Sequence, residues 1–149
     1  MLGDRWSILI LRDMMLRGSR TFKEFADSYE RIATNILTDR LRKLEAYGII
    51  ASHQDPEDGR KLIYTLTAKG IDLAPVLTEM VLWAARHEDT GNAAFVQLMR
   101  ADKQKFLADI RRRCAENQPA DENIPKHRAY NRIDRSLLDG QRNKRTHRG

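Results

Sequence analysis

The apolar residues change their spacing at Gly48, and that change limits the folds open to the chain. Before it, Leu37, Leu41 and Leu44 recur three and four residues apart. At about 100° per residue they fall within about 60° of one another on a helix, with Ile36 at the margin. After it, residues 49–54 and 61–66 are short strand-like runs, joined by the stretch DPEDGR. An Asp-Gly pair and Pro56 in so short a connection predict a hairpin, because a parallel crossover needs a longer link.

Helical patterns lie on both sides of this hairpin. Residues 6–16 are apolar almost all round, which predicts a buried helix from an N-cap at Asp4 to Arg17, with Gly18 just past its end. Thr21 followed by Glu24 has the capping-box spacing, and the short helix after it turns Phe22 and Phe25 inward and ends near Ser28. Thr67 is an N-cap for a longer helix to His87, whose first turns Pro75 should bend. Gly91 and Asn92 break the pattern. Two further helices over 93–99 and 102–116 then carry Phe95, Leu98 and Met99, and Phe106, Leu107, Ile110 and Cys114. Three helices, a hairpin and a long helix are the order of a winged helix-turn-helix, where the third helix enters the major groove and the hairpin reaches a neighbouring groove or the backbone. The fold class is therefore mainly α with a small β-hairpin, a DNA-binding winged domain with C-terminal dimerisation helices. Residues 1–90 are expected to form the winged domain with its long dimer helix, 91–116 a helical extension, and 117–149 a basic, mostly disordered tail.

Charge supports this division unevenly. The net charge is +6, but residues 1–116 hold 19 Lys/Arg against 17 Asp/Glu, while 117–149 hold 8 against 4. The basic excess sits mostly in the tail, so an overall pI near 9.7 says little about the winged domain. No run approaches the roughly 18 apolar residues of a membrane span, the start has no signal-peptide pattern, and one cysteine cannot form an intramolecular disulfide. These features predict a cytoplasmic protein. The histidines have no metal-ligand spacing with Cys114 or the acids, and there is no phosphate loop or nucleophile motif. No metal, cofactor or catalytic residue is expected.

Five segments carry a family resemblance. Residues 3–13, GDRWSILILRD, with FKEF at 22–25, ILTDRLRKL at 36–44, DGRK at 58–61 and YTLTAKG at 64–70, resemble HxlR-type transcriptional regulators in order and spacing. The resemblance spans about residues 3–88 and implies a homodimer on a near-palindromic operator, with transcription as the readout. Such regulators usually carry an N-terminal arm, often with a cysteine near the first helix. The arm is expected to be missing or very short here, leaving that kind of cysteine sensing no residue to act through. The basic tail has no counterpart in the pattern. A MarR-type regulator with a ligand pocket, or a winged domain turned to protein or RNA contact, is the alternative, and any effector stays open.

The polar face of residues 34–43 is the candidate reader of double-stranded DNA. Arg42 can make a bidentate pair with guanine, Asn35 with adenine, and Thr38 can reach a phosphate or a thymine methyl; Thr34 lies on the same face. Against this stands the reading of any charged face as merely solvated. Asp39 repels phosphate and is better placed to pair with Lys43 or hold Arg42. Arg40 can reach the backbone, or equally pair with an acid on an adjacent helix. His53, Arg60 and Lys61 lie on or beside the wing loop, and Thr21 and Lys23 start the second helix, where an N-terminus suits phosphate. A stripe of Leu73, Leu77, Met80, Val81 and Ala84, with Trp83 at its edge, Trp6 on the first helix and Phe106 and Ile110 completing it, is wider than one neighbour can cover and is the expected homodimer seam. Cys114 is expected to pack near a helix end.

Overall fold

Asp4 begins the first helix by capping it. Its Oδ1 accepts the backbone N–H groups of Trp6 and Ser7, each at 3.1 Å, satisfying two amides that a helix start leaves free. Helix α1 spans Arg5–Arg12 and continues as a π-helical turn, Asp13–Arg17, where the apolar spacing predicts α-helix throughout. Gly18 closes it with φ 70°, a left-handed conformation that costs glycine little. The structure, a computed structural model, describes residues 2–28, 30–89 and 93–116. The expected basic tail and the break at Gly91 and Asn92 lie outside the described residues.

Thr21 and Glu24 close the capping box of α2, Phe22–Ala26. The Thr21 hydroxyl accepts the Glu24 N–H at 3.3 Å, and the Glu24 carboxylate accepts the Thr21 and Arg20 N–H groups at 2.9 and 2.7 Å. Helix α3, Thr34–Ala46, buries Leu37, Leu41 and Leu44 against α1 and α2, as the spacing requires. It stops at Gly48, φ 68°, where the Ile49 N–H returns to the Leu44 carbonyl at 2.9 Å.

The hairpin comes next. Strands β1, Ile50–Gln54, and β2, Leu62–Leu66, pair antiparallel with Ile50 opposite Leu66 and Gln54 opposite Leu62. Thr21 bridges Ile63 on the free edge of β2, and the Tyr64 N–H donates to the Arg20 carbonyl at 2.8 Å. That third line of pairing fastens the start of α2 to the wing.

Thr67 caps a helix, but a short one. Helix α4, Ala68–Ile71, ends at Asp72 and the chain restarts as α5, Ala74–His87, with Pro75 in the first turn. A proline there has no N–H to offer α4, and its ring would strike the carbonyl four residues back. The expected bend is therefore a break. Helices α6, Ala93–Ala101, and α7, Lys103–Glu116, complete the described chain. Met99, Phe106, Ile110 and Cys114 join Leu11, Met15, Phe25, Leu37 and Ile49 in one core. Phe106 and Ile110 are 8% and 1% exposed, because α7 packs on α4, α5 and the π turn. Their expected place in a dimer seam is thus corrected: they fill the interior of their own chain.

Ion pairs tie the first helix to the elements beyond it. Arg12 grips Glu30 with two hydrogen bonds, 2.7 and 3.0 Å, and also binds buried Asp13 at 2.6 Å. The Arg12 guanidinium, acting against burial, holds the Glu30 carboxyl at about 2. Burial opposes ionisation of Asp4, yet the Ser7 hydroxyl and amide and the Arg40 guanidinium outweigh it and hold that carboxyl at about 2 as well. Asp13 runs the other way, pushed up by burial against the pull of Arg12 and Arg17.

This packing has two measurable outcomes. A Cβ on Gly70 would overlap the backbone carbonyl oxygen of Ile49, so Gly70→Ala should destabilise the fold by about 1–3 kcal/mol in urea unfolding. In acid, Glu30 and Asp4 have folded pKa values below the ordinary 4.5 and 3.8, so the stability they add is complete above those values and is lost as pH falls to about 2. Tm should accordingly drop between pH 4.5 and 2, and Glu30→Gln should make that drop shallower.

Candidate nucleic-acid interface

With its leucines turned inward, α3 has its opposite side free. Asn35, Asp39, Arg42 and Ala46 form that stripe, flanked by Thr38 and Lys43. Asn35 and Arg42 are exposed, and neither side chain makes a hydrogen bond or ion pair with a described residue. Seven residues separate them, about 10 Å along the axis, or roughly three base-pair steps.

The remaining candidates on α3 are partly engaged. Thr34 is exposed in the first turn, and its carbonyl accepts the Thr38 hydroxyl at 2.8 Å. That leaves Thr38 its methyl group and its oxygen as an acceptor. Asp39 pairs with Lys43 at 3.0 Å, as its position suggests, and the Lys43 ammonium holds the Asp39 carboxyl below its usual range. Arg40 lies on the flank toward α1, where its Nε donates to Asp4 at 2.8 Å and Nη1 pairs with Asp39. Of the two roles open to Arg40 in the sequence, the structure has it paired with an acid from a neighbouring helix. Sequence reasoning did not single out the uncapped first turn of α3. Ala33 offers no side-chain cap, so the first-turn amides at the positive end of the helix are open to an outside acceptor.

The wing tip is a zwitterion. Arg60 is 92% exposed at its side chain, and its Nε donates to Asp58 at 3.1 Å; Lys61 stands 3.6 Å from the same carboxylate. Asp58 is held below the usual range by its hydrogen bonds with Arg60 and by nearby Lys61. His53 differs from a free wing cation, since it is half-buried opposite Ile63 and its buried Nε2 has no hydrogen-bond partner. At α2, Thr21 is occupied as the cap, while Lys23 extends into solvent with Asp27 at 2.9 Å.

Among the described residues there is no group of three or more His, Cys, Asp or Glu able to hold a metal, and no helix long and apolar enough to cross a membrane. Cys114 is buried, and burial pushes its thiol above its usual range, which suits a packing residue.

Comparison with known proteins matches this geometry. The model of the HxlR-like helix-turn-helix family matches residues 1–92. The HTH-type transcriptional regulator YodB of Bacillus subtilis is 37% identical over 92 residues, which are 62% of this chain and 81% of that relative. The HTH-type regulator sll1512 of Synechocystis is 40% identical over 80 residues, but the match covers only 58% of its length. The crystal structure of PA1607, a candidate transcription factor, is 38% identical with a TM-score of 0.53, over 58% of each chain. Matched over more than half its length, the chain belongs to the HxlR-like helix-turn-helix family, whose members regulate transcription by binding DNA.

Proposed function

We propose that two copies of the chain pair through α5 and set their α3 helices in successive major grooves of a near-palindromic operator. The observation that carries the pairing is the outer face of α5. Val76, Met80 and Trp83 lie at i, i+4 and i+7 and are 50%, 43% and 55% exposed, a contiguous apolar strip of a kind that isolated soluble chains seldom leave uncovered. Leu73, Leu77, Val81 and Ala84 sit half-buried beside it, and Trp6 is half-buried on α1. Two-fold pairing repeats residues 34–43 at ~34–36 Å, one turn of DNA.

Within each half-site Arg42 reads guanine and Asn35 reads adenine. Thr34, Thr38 and Lys43 border the groove, and Arg60 and Lys61 bring the wing to the neighbouring backbone. The tail of residues 117–149, with 8 Lys/Arg against 4 Asp/Glu, adds attraction that does not depend on sequence. The apolar cavity between α1 and α5 is about 50 Å³, well below the ~300 Å³ at which small-molecule sites begin, so this reading places no effector there.

Arg42→Ala should weaken operator binding by about 1–3 kcal/mol and erase preference at one base pair per half-site, whereas Arg60→Ala should weaken all sequences alike and flatten the salt dependence by about one unit. Titration of a single-substitution operator panel separates these patterns, and an Arg42→Ala variant with full affinity and unaltered base preference would sink the assignment. Met80→Asp should turn the dimer into a monomer in light scattering. A wild type that is monomeric at full operator affinity would remove the seam.

A further inference from the structure

We infer that Asp4 is a positioning residue for DNA recognition, resting on the function proposed above: it ties Arg40 to α1 and so keeps that guanidinium off the phosphate backbone. The Asp4 carboxylate is itself held firmly. Oδ1 accepts the Trp6 and Ser7 amides and the Arg40 Nε, while Oδ2 accepts the Ser7 hydroxyl at 2.6 Å. An acid anchored in this way by the first turn of α1 cannot follow Arg40 outward.

The consequence lies in the charges of α3. Arg40 is shared between Asp4 and Asp39, and Lys43 is paired with Asp39. Arg42 is then the one cation of α3 with no ion pair among the described residues. Sequence-independent affinity grows with each phosphate a cation neutralises, whereas discrimination comes from base contacts. Removing Arg40 from the first class while leaving Arg42 in the second raises the ratio of specific to non-specific binding. The restraint is electrostatic rather than steric. The pair borders an open cleft of about 300 Å³, lined by Gly3, Ser7, Lys43 and Tyr47, and the Arg40 and Asp4 side chains are 23% and 34% exposed. Arg40 therefore has room to swing toward solvent once the Asp4 charge is gone.

Asp4→Asn tests this, because asparagine keeps an N-cap acceptor and loses the charge. The probes are a duplex enriched from a random pool by the wild-type chain and a scrambled duplex of equal length, titrated across a potassium chloride series. Asp4→Asn should bind the scrambled duplex more tightly, steepen its log K against log salt slope by about 0.9, and lower the enriched-to-scrambled affinity ratio several-fold. Adding Arg40→Gln to that variant should restore the wild-type slope, and Arg40→Gln alone should leave it unchanged. A merely structural Asp4 would alter stability without steepening the slope. Wild-type slope and ratio in folded Asp4→Asn would overturn the inference, as would a slope flattened by Arg40→Gln alone. Circular dichroism establishes folding, Asp4→Ser serves as a second uncharged cap, and if neither variant folds the Arg40→Gln slope decides. A pool in which the wild type enriches no sequence defeats the DNA-reading function instead, and is distinct from either result.

Discussion

The buried leucine face of α3 is the contact on which everything else depends. Leu37, Leu41 and Leu44 are each at most 2% exposed, and truncating a leucine packed like this costs about 2–5 kcal/mol. Burial of that stripe sets the rotation of the helix about its own axis. Because the helical repeat is fixed, the same rotation decides which side chains point away. Arg42 and Asn35 are outward because the leucines are inward, so one packing event sets both the stability of α3 and the face it presents to solvent.

The end of α3 is secured by a different device. The carbonyls of Tyr47, Gly48 and Ile49, just past the helix, take donors from the chain that returns after the hairpin. The Thr67 hydroxyl donates to the Gly48 carbonyl at 2.6 Å, the Thr67 N–H donates to the Ile49 carbonyl at 3.0 Å, and the Lys69 ammonium reaches the Tyr47 carbonyl at 2.8 Å. Glu45 adds a link from α3 to β1 by accepting the Ser52 N–H and hydroxyl at 3.0 and 2.6 Å. Gly70 lets α4 come this close. The wing is thereby held beside α3 through Ser52 of β1 and through Thr67 and Lys69, which follow β2.

Local chemistry with a fixed spacing was legible in the sequence. Asp4, Thr21 and Thr67 act as caps, Gly18 and Gly48 as stops, and the 55–60 stretch as a hairpin loop, because each works within a few residues of itself. What could not be read is set across the fold. Apolar spacing says that Phe106 and Ile110 need cover but not whether their own chain provides it. It cannot distinguish an α turn from a π turn at Asp13–Arg17. Arg40 illustrates the limit at the candidate site, since its choice between a backbone contact and an acid depended on Asp4, 36 residues away. His53 had the composition of a wing contact, yet its ring nitrogen is enclosed. The exposure of Asn35 and Arg42 was foreseeable because it is a direct result of the leucine phase.

At the wing tip a single carboxylate already serves two cations, Arg60 and Lys61. An approaching phosphate does not meet bare charge there; it competes with Asp58 as an alternative counterion. The energy released is the difference between two anions, smaller than either attraction alone. An anion arriving there gains less than it would at an unpaired cation, so a tip built this way suits brief contacts better than a fixed anchorage.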